Sequence, residues 1–201
     1  MTRALITRHG QAENNLVRDR LMGRSPASQL TDLGRVQARS VGARLAEEGA
    51  PSHIICSSLP RTAETAELIA AEIGNPPIES DDDFWEMSKG DWEGRMPVEL
   101  PTDIQAEIDA DPFGYRYGGG ESYRDVWRRI GPAYDRWITI HDGRSILFVL
   151  HGDVMRALCY HLVRFPPNRI RDWSTGNCAM SECRHEPGGR NVMVRWNEGS
   201  P

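Results

Sequence analysis

The sequence predicts an α/β protein of three layers, α/β/α, in which helices cover both faces of a mostly parallel central sheet. Short apolar runs alternate with longer amphipathic stretches, in the order typical of this class. Residues 145–150 are apolar after the first position and lie between two predicted helices, as expected for a central parallel strand. The 201 residues suffice for one domain, 1–201, with a sizeable core.

The first half of the chain predicts two strand–helix pairs. Residues 3–8 form the first strand, and residues 9–30 form mainly a loop. Thr31 caps a helix that runs to about Glu48, because Gly49 and Pro51 end its periodic pattern. Its predicted apolar stripe consists of Leu33, Val36 or Gln37, Val41 and Leu45. The second pair is a strand at 53–57 and a helix from about 60 to 73.

The second half adds the remaining elements. Residues 78–95 are irregular and acidic, and a helix is predicted around 97–110. Ser122 with Asp125 fits a capping box at the start of a long helix. The remaining predicted elements are the strand at 145–150, a helix at 153–164 and two last strands at 178–184 and 191–197.

Composition and charge disfavour several classes of protein. The net charge is -5, whereas a nucleic-acid-binding protein is usually basic, so no nucleic-acid partner is expected. No apolar run approaches the roughly 18 residues of a membrane span. The N-terminus lacks the pattern of a signal peptide, which favours the cytoplasm. The four cysteines form no C-x-x-C pair and are predicted to be reduced and mostly buried. The oligomeric state stays open, with a homodimer as one alternative.

Polar residues follow three of the predicted strands. Arg8-His9-Gly10 follows the first strand, Arg61 comes shortly after the second, and His151-Gly152 follows the third. Ligands of open α/β sheets bind beyond the carboxyl ends of the strands, so these side chains should meet at one edge. Guanidinium groups bind phosphate or carboxylate, and a neutral imidazole can act as a nucleophile or base. The sequence therefore predicts an anion site, with phosphate favoured.

Six motifs in this order resemble the histidine phosphatase superfamily, also called phosphoglycerate-mutase-like. The resemblance covers about residues 3–197. The motifs are Arg8-His9-Gly10 with Asn15, Leu30-Thr31 with Gly34 and Gln37-Ala38, Ser57-Ser58 with Arg61 and Thr65-Ala66, Glu86 with Trp92-Glu93-Gly94, Gly119-Gly120-Glu121-Ser122, and His151-Gly152.

The resemblance implies a role for each matching residue. His9 would attack phosphorus and become a phosphohistidine, while Arg8, Arg61 and His151 would hold the phosphoryl oxygens. Glu86 would protonate the leaving oxygen and then activate water; only the match to the Trp-Glu-Gly motif selects it among several nearby carboxylates. Asn15, Gly23 and Gly152 complete the implied phosphate-binding set. Neither a metal nor another cofactor is implied, and the expected partner is a small phosphorylated substrate.

The reaction and substrate remain open between several alternatives. A metal-independent phosphatase is favoured over a phosphoglycerate mutase, because residues 87–120 lack the longer basic insertion usual in true mutases. A protein phosphatase and an inactive binding protein are further alternatives. Met22 departs from the family pattern beside the predicted substrate, where it indicates a less polar contact or only fills a gap. A basic cluster of Arg8 and Arg61 is predicted to attract the anion, together with loop residues Arg18, Arg20 and Arg24.

Overall fold

The computed structural model describes residues 1–16, 21–25, 27–96, 99, 101 and 103–199, and its elements follow the predicted order. The strands are β1 (Thr2–Arg8), β2 (His53–Cys56), β3 (Ile78–Ser80), β4 (Ser145–Leu150), β5 (Met180–Glu186) and β6 (Arg190–Glu198). The helices are α1 (Glu13–Leu16), α2 (Asp32–Glu48), α3 (Pro60–Glu72), α4 (Ile104–Ala110), α5 (Tyr123–Ile140) and α6 (Gly152–Val163).

These strands form one mixed sheet in the order β3-β2-β4-β1-β5-β6. The neighbouring pairs among β3, β2, β4 and β1 are parallel, whereas β5 and β6 run antiparallel at the other side. The predicted α/β class is confirmed, and β4 is the buried parallel strand expected from its apolar run. Strand β3 was missed, because its three residues are exposed and stand in an acidic segment with no alternating pattern.

Two apolar clusters cover the two faces of the sheet. One contains side chains of α5 and α6, such as Val126 and Leu158, packed with Ile55 and Phe148. The other contains side chains of α2 and α3, such as Leu45 and Ile69. All four cysteines are buried free thiols, as predicted. Two faces covered by helices give the three layers and leave the carboxyl ends of the parallel strands open for a site.

Two predictions about helices need correction or restriction. Leu33 and Val36 are exposed, so the predicted stripe of α2 is wrong at these positions. The buried face consists of Gly34, Ala38, Val41, Gly42 and Leu45. Small residues replace large ones there because α2 lies against backbone of the loop after β1. The helix predicted around 97–110 is observed as α4 only from Ile104, and residues 97, 98, 100 and 102 lie outside the described part of the chain.

Gly34 supports this close approach, and Gly34→Ala should destabilise the protein by about 3 kcal/mol. A Cβ atom at this position would lie 2.0 Å from the carbonyl oxygen of Gln11. A loss of stability would be informative, since alanine is normally favoured over glycine by about 1 kcal/mol in an exposed helix interior. Urea unfolding measures the change, with Val36→Ala on the exposed face of α2 as the control. A Gly34→Ala protein as stable as the wild type would contradict the packing.

No helix among the described residues combines the length and apolar character needed to cross a bilayer.

Candidate active site

Three neighbouring strands of the sheet bring the predicted site residues together. His9 follows β1, Arg61 lies in the first turn of α3 after β2, and His151 follows β4. His9 lines a cavity of about 400 Å³, whereas Arg61 and His151 are buried near His9 and are not part of the lining. Its lining residues are Arg8, His9, Asn14, Asn15, Leu21, Met22, Gly23, Glu86, Lys89, Tyr117, Tyr123, Asp153, Arg156 and Arg171.

His9 has the state required of a nucleophile. Its side chain is almost fully buried, and Nδ1 lies 2.7 Å from the carbonyl oxygen of Gly10. A carbonyl only accepts, so Nδ1 carries the proton and Nε2 keeps a free electron pair. Burial, followed by the positive charges of Arg8 and Arg61, lowers the pKa of His9 well below its ordinary value. The imidazole is therefore neutral near pH 7.

Donors with no protein partner converge beside His9. The His9 and His151 ring centroids are 5.3 Å apart. Both ring nitrogens of His151, and Nε of Arg8 and of Arg61, are buried without a hydrogen-bond partner among the described residues. Other nitrogens of the two guanidiniums are anchored: Arg8 Nη1 donates to the carbonyl of Thr175, and Arg61 donates to those of Gly23 and Ser25. Since unpaired buried donors are costly, this set is arranged for an anion with several oxygens.

Asn15, Gly23 and Gly152 lie at the same site. Asn15 Oδ1 accepts from the backbone N–H of Ala12 and from Asn177 Nδ2, at 3.0 and 3.1 Å, so its own NH₂ group is oriented as a donor. Gly23 has φ +46°, and a Cβ atom there would lie 2.3 Å from the Glu93 carboxylate. Gly152 is the first residue of α6, where helix N–H groups favour an anion. The structure thus places Asn15 and Gly23 in the cavity lining, whereas Gly152 lies outside the lining and next to the Arg8 guanidinium.

Glu86 lies in the same cavity with the properties of an acid. Burial, followed by the negative charge of Asp153, raises the pKa of Glu86. One carboxyl oxygen accepts the backbone N–H of Met87 at 2.8 Å, which fixes its orientation. A carboxyl with a raised pKa can donate a proton at a pH where an ordinary glutamate is ionised.

The predicted basic cluster is wrong at Arg24. The guanidinium of Arg24 donates to the backbone carbonyl of Glu86 at 2.9 Å and to Glu121 at 2.9 Å, and Arg24 does not line the cavity. It holds the segment of Glu86 instead, because a carboxylate within reach binds a guanidinium more strongly than solvent does. Arg18 and Arg20 lie outside the described residues.

Glu121 binds the two arginines that hold the segment of Glu86. It accepts hydrogen bonds from Arg24, Arg129 and the backbone N–H of Ser88. Arg129 also donates to the carbonyl oxygens of residues 83, 85 and 86. Burial disfavours the charge of Glu121, but the hydrogen bond and charge of Arg129 outweigh it, so the pKa lies below its usual range. Glu121 therefore couples the start of α5 to the loop that carries the acid.

Glu121→Gln should lower the free energy of unfolding at pH 7 by about 2 kcal/mol, because it removes the charge that two guanidiniums share. The pKa of Glu121 is lowered by folding, so its contribution is present at neutral pH and is lost as the pH falls through that lowered value. Denaturant unfolding at pH 7 and over a series of lower pH values measures both effects. Glu72→Gln, which breaks the exposed pair with Arg39, is the control and should cost under about 0.5 kcal/mol. Equal costs at the two positions would contradict this role.

Sequence reasoning missed a charged group on the other wall of the cavity. Asp153 binds Lys89 at 2.9 Å, Arg156 at 2.8 Å and the Tyr123 hydroxyl at 2.5 Å. Burial disfavours the charged Asp153, but Lys89 and Arg156 outweigh it and hold its pKa far below the usual range. Arg171 lines the cavity nearby. Asp153 and Arg156 could have been found, since they lie two and five positions after His151, on the first turns of a helix at the site. Lys89 gave no such signal.

The fold and this site together define an α/β protein in which a neutral, buried histidine lies beside unpaired buried donors suited to an anion. The chain belongs to the histidine phosphatase superfamily, branch 1, whose family model matches residues 4–199. It is also 31% identical over 190 residues to a probable phosphoglycerate mutase, GpmB, of Yersinia enterocolitica, covering 92% of this chain and 86% of the relative.

Solved structures share the fold over the full length of the chain. YhfR of Bacillus stearothermophilus superposes with a TM-score of 0.88 at 28% identity, covering 100% of this chain and 98% of that one. A phosphoserine phosphatase from Entamoeba histolytica, in a mutant form bound to phosphoserine, gives a TM-score of 0.85 at 23% identity, with coverages of 98% and 97%. The predicted family and fold are confirmed.

Proposed function

We propose that the protein is a metal-independent phosphomonoesterase that acts on a small phosphorylated metabolite through a phosphohistidine at His9. One observation carries the proposal: a neutral His9, with Nε2 free, lies beside unpaired buried donors and shares a cavity with a glutamate of raised pKa. Phosphoryl transfer depends mainly on positioning and on stabilising charge, and this arrangement supplies both.

The reaction takes place in two steps. Nε2 of His9 attacks phosphorus and forms an N–P bond as the P–O bond to the leaving group breaks, and Glu86 gives its proton to the departing oxygen. The ionised Glu86 then takes a proton from water, whose oxygen attacks phosphorus and displaces His9 as free imidazole. Arg8, Arg61 and His151 donate to the phosphoryl oxygens throughout, where charge accumulates in both transition states.

The cavity favours a substrate with a second anionic group. Lys89 and Arg156 are already paired with Asp153, whereas Arg171 is half exposed and, among the described residues, has a single ion pair, a 3.7 Å contact with the exposed Asp109. A guanidinium at the cavity rim can bind a carboxylate with two parallel hydrogen bonds. We therefore place the phosphate beside His9 and a substrate carboxylate toward Arg171.

Arg171→Ala should raise KM for carboxylate-bearing phosphomonoesters about tenfold and leave kcat nearly unchanged. For p-nitrophenyl phosphate, which lacks a carboxylate, both constants should stay within about twofold. Steady-state kinetics on both substrates measures this difference. Arg169→Ala is the matched control, since Arg169 lies on the same turn and pairs with Asp172 away from the cavity. A loss that is equal for the two substrates would contradict the assignment.

A panel of phosphomonoesters tests the activity itself. We expect phosphate release that persists after treatment with a chelator. Loss of activity on chelation would overturn metal independence, and no activity on any ester would favour a binding protein. The name of the Yersinia relative makes a mutase the second candidate. Incubation of 3-phosphoglycerate with a bisphosphate primer distinguishes the two, because a mutase conserves the phosphoryl group whereas a phosphatase passes it to water.

A further inference from the structure

Two histidines and a glutamate meet at the edge of the sheet opposite the proposed active site. His53 is the first residue of β2, Glu79 lies in β3, and His141 directly follows α5. Glu79 is in register with Ile55, and residues two apart on a strand share a face, so the sheet directs His53 and Glu79 toward α5. Their candidate ligand atoms and those of His141 all lie within 4.8 Å of one another.

His141 gives an independent reason to expect a ligand here. Its side chain is 3% exposed, and both ring nitrogens are buried without a hydrogen-bond partner among the described residues. The ring stacks on Trp137 at 5.9 Å and lies 4.2 Å from the His53 ring. A buried imidazole with no partner is costly unless something binds it.

We propose that His53, Glu79 and His141 form a binding site for one zinc-like divalent transition-metal ion. Two imidazoles and a carboxylate suit this class of ion, whereas calcium and magnesium prefer oxygen ligands alone. The negative end of the α5 dipole lies at His141 and also favours a cation there. This attraction opposes the repulsion from the positive charge of Arg144.

The geometry requires a modest closure around the ion. Zinc bonds of about 2.1 Å place tetrahedral ligand atoms roughly 3.4 Å apart. His141 is held by Trp137, whereas Glu79 is exposed and His53 is partly exposed, so these two side chains can move the remaining distance of up to about 1.4 Å. Water takes the fourth position. Bound metal would join β2 and β3 to the end of α5 and thereby stabilise the fold.

Zinc titration of the metal-free protein by calorimetry and thermal unfolding tests the site. We expect one ion per chain and a rise in Tm of about 5 °C at saturating zinc. His53→Asn should weaken binding about 100-fold and remove the rise, and Glu79→Gln should weaken it about tenfold. Both residues are at least partly exposed, and circular dichroism without metal confirms that the variants are folded.

His9→Gln is the matched control, because the paired histidines of the active site could also hold zinc. We expect this variant to bind zinc as the wild type does. Loss of binding in His9→Gln alone would place the ion at the active site and overturn the proposal. Unchanged zinc affinity in His53→Asn, or no binding by the wild type at micromolar zinc, would also overturn it.

Discussion

His9→Ala should reduce phosphatase activity at least about 1,000-fold. The reason is that His9 is the one histidine that lines this cavity among the described residues, whereas its neighbour His151 is not part of the lining. Alanine removes the attacking atom but leaves Arg8 and Arg61 in place. Substrate binding should therefore change much less than kcat, and a direct binding measurement on the variant checks that separation.

A chemical trap distinguishes loss of the nucleophile from loss of structure. Wild-type protein mixed briefly with a ³²P-labelled ester and quenched in alkali should carry an acid-labile label, and His9→Ala should carry none. His161→Gln is the matched control, since His161 pairs with Asp135 outside the cavity, and it should keep activity within about twofold. Equal activity in His9→Ala, or a label that persists in it, would contradict the mechanism.

Glu86→Gln should slow hydrolysis of alkyl phosphates by about 10³, within the range of general acid catalysis. Glutamine keeps the size of the side chain and cannot donate an acidic proton. With p-nitrophenyl phosphate the loss in the first step should be much smaller, because p-nitrophenolate leaves without protonation. Asp91→Asn, at an exposed carboxylate in the same segment, is the control. A uniform loss across leaving groups would show that Glu86 is not the acid.

The pH dependence of kcat/KM provides a second test of the same pair, since it reports ionisation in the free enzyme. The raised pKa of Glu86 keeps its proton available above the range of an ordinary glutamate, and activity falls as the pH rises through that value. The pKa of His9 lies well below the ordinary histidine value of 6.5, so His9 is still neutral at pH 6.5. Activity therefore falls on the acidic side only when the pH drops through this lowered pKa. After correction for ionisation of the substrate, Glu86→Gln should lose the alkaline limb and keep the acidic one.

The sequence predicted most of the fold because its apolar periods and caps are local signals. Thr31 and Ser122 cap their helices as predicted. The side-chain oxygen of each accepts the backbone N–H of the residue three positions later, Gly34 and Asp125. The buried face of α2 could not be predicted in the same way. Leu33 and Val36 look like core residues in a helical pattern, but Gly34 and Ala38 face inward because a loop from another part of the chain packs there.

The sequence by itself determined the family and predicted which residues gather at the candidate anion site, since His9, Arg61 and His151 each follow a strand and parallel strands end at one edge. Only the tertiary structure decided the protonation states of these side chains and their hydrogen-bond partners. Burial beside Arg8 and Arg61 keeps His9 neutral. Burial, followed by the charge of Asp153, 67 positions away in the chain, raises the pKa of Glu86. Such effects depend on distance and dielectric in space, which a linear pattern does not contain.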